Sequence, residues 1–222
     1  MILSVTSYGQ STFQNLDFES AFILPGQLPG LVSAAEAIPA WAPYIGTQGT
    51  AVLYDDPTTG QAAVNLLDAP QQAIIEGSYT VLLQGGLGPY AGAETSIRQT
   101  GQVPAGTQSI RFKADPGFGP LSVSLAGQSV PIFVVGAGSN YTLFGGDASA
   151  FAGQTVELKI GVLPSNNYWL IDSIEFSNLA VPEPGTVALL TLGGVLVGWI
   201  CLRQCGGRLS ARGAVLAGPT RK

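Results

Sequence analysis

The chain contains no histidine, and this absence removes several kinds of chemistry at once. A Ser-His-Asp triad, an imidazole proton shuttle and a histidine metal site all need that residue. Only two cysteines occur, Cys201 and Cys205, and both lie near the C-terminus. The residues before them therefore have neither a disulfide framework nor a cysteine metal site.

Charged residues are also scarce, at 10 % of the chain, and their distribution is uneven. All 14 acidic residues lie at or before Glu183, whereas only four basic residues precede it: Arg98, Arg111, Lys113 and Lys159. The net charge is −10 up to Glu183 and +5 after it. Because phosphate binding needs a basic face, this balance argues against nucleic acid as a partner.

What the sequence does have is a run of 17 uncharged residues at 186–202. As a helix it would be about 25 Å long, the short end of what crosses a bilayer. Five basic residues follow it, which predicts a cytoplasmic tail and places the preceding chain on the other side of the membrane. The alternative is a buried helix of a soluble core, but such a helix would carry a polar face, and this run has only two threonines.

A short motif, Val181, Pro182, Glu183 and Pro184, stands just before this run, and Arg203 follows it. Together these features resemble the PEP-CTERM sorting signal of Gram-negative bacteria. The resemblance implies export, recognition by an exosortase in the inner membrane, removal of the tail, and delivery to the cell surface or extracellular matrix. The chain departs from that pattern in one respect, because it continues beyond the basic cluster to position 222.

The resemblance and the charge pattern divide the chain into four parts. Residues 1–12 form a leader of unclear role, because they have neither the basic segment nor the apolar run of a signal peptide. Either the gene start is misplaced, which we favour because the C-terminal signal is so specific, or the sequence is a fragment, or the export interpretation is wrong. An extracytoplasmic domain follows at 13–178, then the sorting signal with its transmembrane helix at 179–205, and a basic cytoplasmic tail at 206–222.

The extracytoplasmic part alternates between apolar and polar residues. Apolar residues at 156, 158, 160 and 162 enclose Glu157 and Lys159, and similar short segments recur along the chain. Residues 132–135 are continuously apolar and predict a strand buried on both faces, and only 147–152 predicts a helical turn. About eight to ten strands separated by turn residues favour an all-β fold, an antiparallel β-sandwich or jelly roll.

Several segments resemble galactose-binding-like domains of carbohydrate-binding modules, namely 15–19, 97–99, 104–107, 153–158 and 171–174. The resemblance implies a sandwich in which the opening and closing strands are neighbours. It also implies a calcium site there, with Glu19 and Asp172 as ligands, although Ser173 stands where calcium-binding members often have a second acid. The alternative is an ordinary surface glutamate and a turn aspartate.

Aromatic side chains are candidates for stacking on sugar rings. The set is Trp41, Tyr44, Tyr54, Tyr90, Tyr168 and Trp169. We single out Tyr90, in a Gly- and Pro-rich loop, and Trp41, for which a place in the core is the alternative. No catalytic motif is present. A glycosidase needs two carboxylates, and Glu76 with Glu94 could be such a pair, but two acids can always be chosen from 14, so this pair is no evidence for an enzyme.

The sequence therefore predicts a non-enzymatic exported protein. It would be anchored in the inner membrane before processing by an exosortase, then reside at the cell surface or outside the cell, where it would bind polysaccharide. Calcium is the one cofactor suggested. Two alternatives stay open: a permanently membrane-anchored adhesion or scaffold module, and a carbohydrate-active enzyme.

Overall fold

Strands dominate the part of the chain that the computed structural model describes, which comprises residues 12–57, 60–69, 74–86, 92–164 and 167–181. The strands are β1 (Gly30–Val32), β2 (Ala42–Ile45), β3 (Gln48–Gly49), β4 (Val52–Tyr54), β5 (Ala63–Asp68), β6 (Tyr79–Gln84), β7 (Thr95–Gln102), β8 (Ser109–Phe118), β9 (Leu121–Leu125), β10 (Gln128–Ser129), β11 (Phe133–Ala137), β12 (Thr142–Asp147), β13 (Thr155–Val162) and β14 (Tyr168–Ser177). They confirm the predicted all-β class.

The strands form two sheets with one apolar core, which is the predicted sandwich. The larger sheet has the order β1-β4-β5-β6-β14-β8-β12-β11, and the smaller has the order β10-β9-β13-β7-β2-β3. Within the described strands, pairing is antiparallel except between β4 and β5, which run parallel. The larger sheet is therefore mixed, and the prediction of purely antiparallel pairing was wrong for this one pair of strands.

The alternation in β13 has the predicted register. Leu158 and Ile160 are 0 % exposed, whereas Lys159 lies on the outer face and is partly exposed. In the neighbouring strands, Ile97 of β7 and Val123 of β9 are likewise buried. Because successive side chains of a strand point to opposite faces, the residues between them form the outer surface of the smaller sheet.

Two local predictions were wrong. The apolar run at 132–135 is not buried on both faces, because β11 lies at the edge of the larger sheet and Val134 is 64 % exposed. A helix was also missed: α1 (Ala34–Ala37) begins with a capping box in which Ser33 and Glu36 exchange hydrogen bonds. The predicted turn at 147–152 is confirmed as a short 3-10 helix, Ser149–Phe151.

The opening and closing segments are neighbours, as the resemblance implied. The backbone N–H of Ile174 in β14 donates to the carbonyl of Leu16 at 2.9 Å. The rings of Phe13 and Phe176 stack with their centroids 4.9 Å apart. Residues 13–15 are irregular and residues 16–20 form a turn, so Glu19 reaches its partners from a turn rather than from a strand.

The C-terminal part of the chain forms a second unit, Pro182–Lys222, which lies outside the described residues. The predicted transmembrane helix at 186–202 falls in this unit. Within the described ranges, no helix has the length and apolarity needed to cross a membrane.

Candidate functional site

A polar groove lies on the outer face of the smaller sheet, over β9 and β13 and beside Glu94, which precedes β7. The register places Ser124, Lys159 and Arg98 side by side in one row. The next row contains Ser122 and Gly161 together with Ser96. The lining residues that carry polar groups or close its ends are Glu94, Ser122, Ser124, Ser129, Lys159, Leu163 and Pro164, and the volume is about 480 Å³.

Glu94 is the centre of this groove. Its Oε1 accepts a hydrogen bond of 2.7 Å from Ser122 Oγ, and its Oε2 accepts one of 2.8 Å from Lys159 Nζ. The side chains of Glu94 and Lys159 are 21 % and 26 % exposed, so the pair is partly shielded from water. Burial would raise the pKa of the Glu94 carboxyl, but the hydrogen bonds from Lys159 and Ser122 outweigh it and hold the pKa below its usual value.

The position of Glu94 depends on a glycine in the adjacent strand. A Cβ atom at Gly161 would lie 2.8 Å from Glu94 Oε1 and 3.0 Å from the Cβ of Ser96. Gly161 therefore leaves room for the carboxylate to reach across β13 towards Ser122. Any other residue at position 161 would displace the carboxylate, because its Cβ would lie 2.8 Å from Oε1.

A cation and an aromatic ring lie on the same face next to the groove. The Arg98 guanidinium carbon is 4.4 Å from the ring centre of Tyr44 in β2, a cation–π geometry. Ser96 Oγ and Arg98 Nε are both buried without a hydrogen-bond partner. The face thus presents a carboxylate, an ammonium group, a guanidinium group and serine hydroxyls within one small area.

Such a surface suits a ligand that both donates and accepts hydrogen bonds at neighbouring positions. Glu94 can accept and Lys159 can donate, and their charged groups are 2.8 Å apart. Two adjacent hydroxyl groups offer this combination, because each hydroxyl is donor and acceptor. Among the residues that the structure describes, the groove lining contains one carboxylate, that of Glu94, whereas glycoside hydrolysis ordinarily uses two on either side of the bond.

The structure places the predicted aromatic residues in different environments. Trp41 is 4 % exposed, donates from Nε1 to the Asn15 carbonyl and packs against Phe18, so it belongs to the core and is no sugar platform. Tyr54 and Trp169 are each 7 % exposed and are also core residues. Tyr44 lies beneath Arg98. Tyr90 lies outside the described residues, two positions before Gly92 of the groove lining.

Glu19 and Asp172 bind the same turn from two sides. Glu19 Oε1 accepts hydrogen bonds from the backbone N–H groups of Ser78 and Tyr79, at 2.9 and 3.0 Å. Asp172 Oδ2 accepts from the N–H of Glu76 at 3.2 Å and from Thr80 Oγ1 at 2.7 Å. The two carboxylates therefore join the opening and closing segments through residues 76–80.

This arrangement bears on the predicted calcium site. Calcium takes six to eight oxygen ligands. Here Glu19 Oε1 and both carboxylate oxygens of Asp172 already accept hydrogen bonds from N–H and O–H groups. In the described part of the chain, no group of three or more acidic or cysteine side chains lies close enough together to hold a metal ion. The present donor set does not fit calcium, and the predicted site stays a prediction.

The two acids considered as a carboxylate pair lie in separate networks. Glu76 pairs with Lys113 at 2.5 Å near the larger sheet, and Glu94 pairs with Lys159 on the smaller one. Sequence reasoning did not find the Glu94 network. The alternation in β13 placed Lys159 outward, but no sequence signal joins it to a residue 65 positions away.

Comparison with known proteins confirms the sorting motif. Residues 180–204 match the family model described as the PEP-CTERM protein-sorting motif. Of the residues that we assigned to it, Val181 is described by the structure, and Pro182, Glu183, Pro184 and Arg203 lie outside the described residues. The chain therefore carries the sorting signal of exported proteins of the cell envelope. No curated protein matches it.

One solved structure matches part of the chain. It is the family 11 carbohydrate-binding module from Clostridium thermocellum in complex with a β-1,3-1,4-mixed-linked tetrasaccharide. The match has a TM-score of 0.36 and 10 % sequence identity, and it covers 69 % of this chain and 98 % of that chain. At this TM-score the similarity is too distant to indicate a ligand.

Proposed function

We propose that this protein is a non-enzymatic carbohydrate-binding protein of the cell surface or extracellular matrix. The residues 186–202 hold it in the inner membrane until an exosortase recognises the PEP-CTERM motif and removes the tail. The sandwich then binds polysaccharide through the groove on its smaller sheet. The motif match supports the sorting step, and the groove supports the binding step.

The observation that carries the binding proposal is the Glu94 network. A carboxylate, an ammonium group and a serine hydroxyl meet at the wall of an open groove, and the first two are only partly exposed. Partial shielding strengthens hydrogen bonds to charged groups relative to those on a fully wet surface. Sugar hydroxyls can use both partners at once, so a hydroxyl-rich ligand fits this wall better than an apolar one.

The chemistry of the groove favours binding over hydrolysis. The Glu94 carboxylate has a lowered pKa and a lysine partner, so it is ionised at neutral pH and holds no proton to donate. A glycosidase acid needs a raised pKa instead. The strongly acidic balance of the chain before the motif would also keep an exported domain soluble.

The test is binding of the purified full-length chain to a panel of soluble polysaccharides, which includes neutral glucans and the exopolysaccharide of the producing bacterium. We expect Glu94→Gln to weaken binding at least tenfold, as the loss of a charged hydrogen-bond partner does. Glu157→Gln is the matched control, because Glu157 is an exposed outward residue of β13, the strand of Lys159, and does not line the groove. Equal binding by both variants would place the ligand elsewhere or exclude carbohydrate as the ligand.

A further inference from the structure

The chain stays attached to the sandwich up to the residue before the first proline of the sorting motif. Ser109 Oγ of β8 donates to the carbonyl of Leu179 at 2.7 Å. Arg111 Nη2, two residues along the same strand, donates to the carbonyls of Leu179 at 3.1 Å and Ala180 at 3.4 Å. Arg111 Nε also donates to Ser109 Oγ at 3.1 Å, which fixes the guanidinium group in place.

Val181 adds a packing contact to these hydrogen bonds. Gly145 of β12 lies opposite Arg111 in the register, and a Cβ at Gly145 would be 3.0 Å from Val181 Cγ2. The absence of a side chain at position 145 thus lets Val181 lie against the sheet. Ser109, Arg111 and Gly145 together hold residues 179–181, and we name these three residues the exit clamp.

Among the described contacts, Arg111 is distinguished from the other three basic residues of the sandwich by its hydrogen bonds to residues 179 and 180. Lys113 and Lys159 each form an ion pair with a glutamate, and Arg98 lies over Tyr44 and donates from Nη2 to the Gly46 carbonyl at 3.4 Å. Within the described residues, Arg111 makes no ion pair, and its guanidinium group donates hydrogen bonds to the main-chain carbonyls of Leu179 and Ala180. A guanidinium group suits this role, because it presents several donors in a fixed planar geometry.

We propose that the exit clamp controls access of proteolytic enzymes, including the sorting enzyme, to the start of the sorting motif. This inference rests on the proposed function for the identity of that enzyme. Enzymes that act on peptides bind them as extended segments, so residues held against a folded domain must detach first. Release of residues 179–181 would add about 10 Å of extended chain between the sandwich and Pro182.

The clamp itself can be tested with a protease that has no sequence requirement. Full-length protein is treated with a low concentration of subtilisin, and mass spectrometry follows cleavage between residues 178 and 182. When opening is fast relative to cleavage, the cleavage rate follows the population of the open form. We expect Arg111→Met to be cut about tenfold faster than the natural chain, because it loses the donors to both carbonyls.

Two further variants keep this experiment specific. Lys113→Met removes a positive charge from the same strand but no contact with residues 179–181, so we expect the natural cleavage rate. Gly145→Ala introduces a Cβ 3.0 Å from Val181 and should accelerate cleavage without any change of charge. Equal cleavage of Arg111→Met, Gly145→Ala and the natural chain, with unchanged melting temperatures, would overturn the clamp.

A second measurement connects the clamp to sorting. In cells that contain the sorting enzyme, pulse-chase labelling measures how fast the full-length chain is shortened. We expect Arg111→Met and Gly145→Ala to be shortened faster than the natural chain and Lys113→Met to match it. Natural chain that is never shortened would contradict the proposed processing, whereas shortening at one common rate for all variants would overturn control by the clamp.

Discussion

Asp172 and Thr80 form a buried hydrogen bond of 2.7 Å between β14 and β6, and Asp172 is only 1 % exposed. Burial raises the pKa of Asp172 to about 6, although hydrogen bonds from Thr80, Ser173 and Glu76 favour the charged form. The folded protein therefore holds a proton at pH values where the unfolded chain has already lost it. This contribution to stability is present below about pH 3.8 and is lost as the pH rises through about 6.

The first prediction follows from this pKa. We expect Asp172→Asn to become more stable relative to the natural protein as the pH rises from about 4 to about 7, by up to about 3 kcal/mol. Thermal unfolding across that range measures the difference. Glu175→Gln, which changes an exposed acid of the same strand, serves as the control. A constant difference between Asp172→Asn and the natural protein would contradict the raised pKa.

The second prediction concerns the core of the smaller sheet. Leu158→Ala should lower the free energy of unfolding by about 2–5 kcal/mol, because Leu158 is fully buried. Lys159→Ala should cost about 1 kcal/mol, more than an outward side chain usually does, since it leaves Glu94 without its cation. Denaturant unfolding provides both values. If the two variants lost equal stability, the assigned burial of β13 would be wrong.

The third prediction uses the glycine beside Glu94. Gly161→Ala places a methyl group 2.8 Å from Glu94 Oε1, so the carboxylate must move away from Ser122. We expect weaker polysaccharide binding with a small change in melting temperature. Gly49→Ala is the control. Gly49 lies in the same sheet, and a Cβ at that position would have no heavy atom within 4 Å. Unchanged binding by Gly161→Ala would show that ligand binding does not depend on the position of the Glu94 carboxylate.

The fourth prediction tests calcium at Glu19 and Asp172. If the ion binds, a concentration a hundred times its dissociation constant raises stability by about 2.7 kcal/mol, and a chelator removes this gain. The hydrogen bonds predict a separate effect: Glu19→Gln should melt lower even in chelator, because its amide oxygen accepts more weakly from Ser78 and Tyr79. A natural protein that melts identically in calcium and in chelator would leave Glu19 and Asp172 with the hydrogen-bonding role alone.

The fifth prediction concerns the basic cluster after the apolar run. Replacement of Arg203, Arg208 and Arg212 by Glu should impair retention and sorting, because positive charge keeps that end of a membrane span in the cytoplasm. Fractionation of cells that produce the variant would show where the chain accumulates. Replacement of the same three residues by Lys preserves the charge and should sort normally. Normal maturation of the Glu variant would contradict the predicted orientation.

Local pattern predicted the strands correctly where one face is core and the other is solvent. In β13 the two faces alternate, and Leu158 and Lys159 lie where the period of two places them. The sequence also contained the signal for α1, since Ser33 and Glu36 have the spacing of a capping box, and the prediction overlooked it. The sorting motif was readable for a similar reason, because its elements are consecutive in the chain.

The apolar run that became β11 shows the limit of local pattern. A buried central strand and an exposed edge strand can have the same apolar composition, and the difference is the position in the sheet. That position follows from the order of all eight strands. The parallel pairing of β4 with β5 is of the same kind, because it depends on which strands become neighbours.

The sequence by itself determined the class of fold, the register of strands such as β13 and the sorting motif, because each depends on residues close together in the chain. Only the tertiary structure decided the two contacts on which our proposals rest. Glu94 meets Lys159 across 65 residues, and Arg111 reaches Leu179 across 68. Both contacts depend on strand pairing and sheet order. These are the result of burying apolar area over the whole domain, so a local sequence pattern does not reveal them.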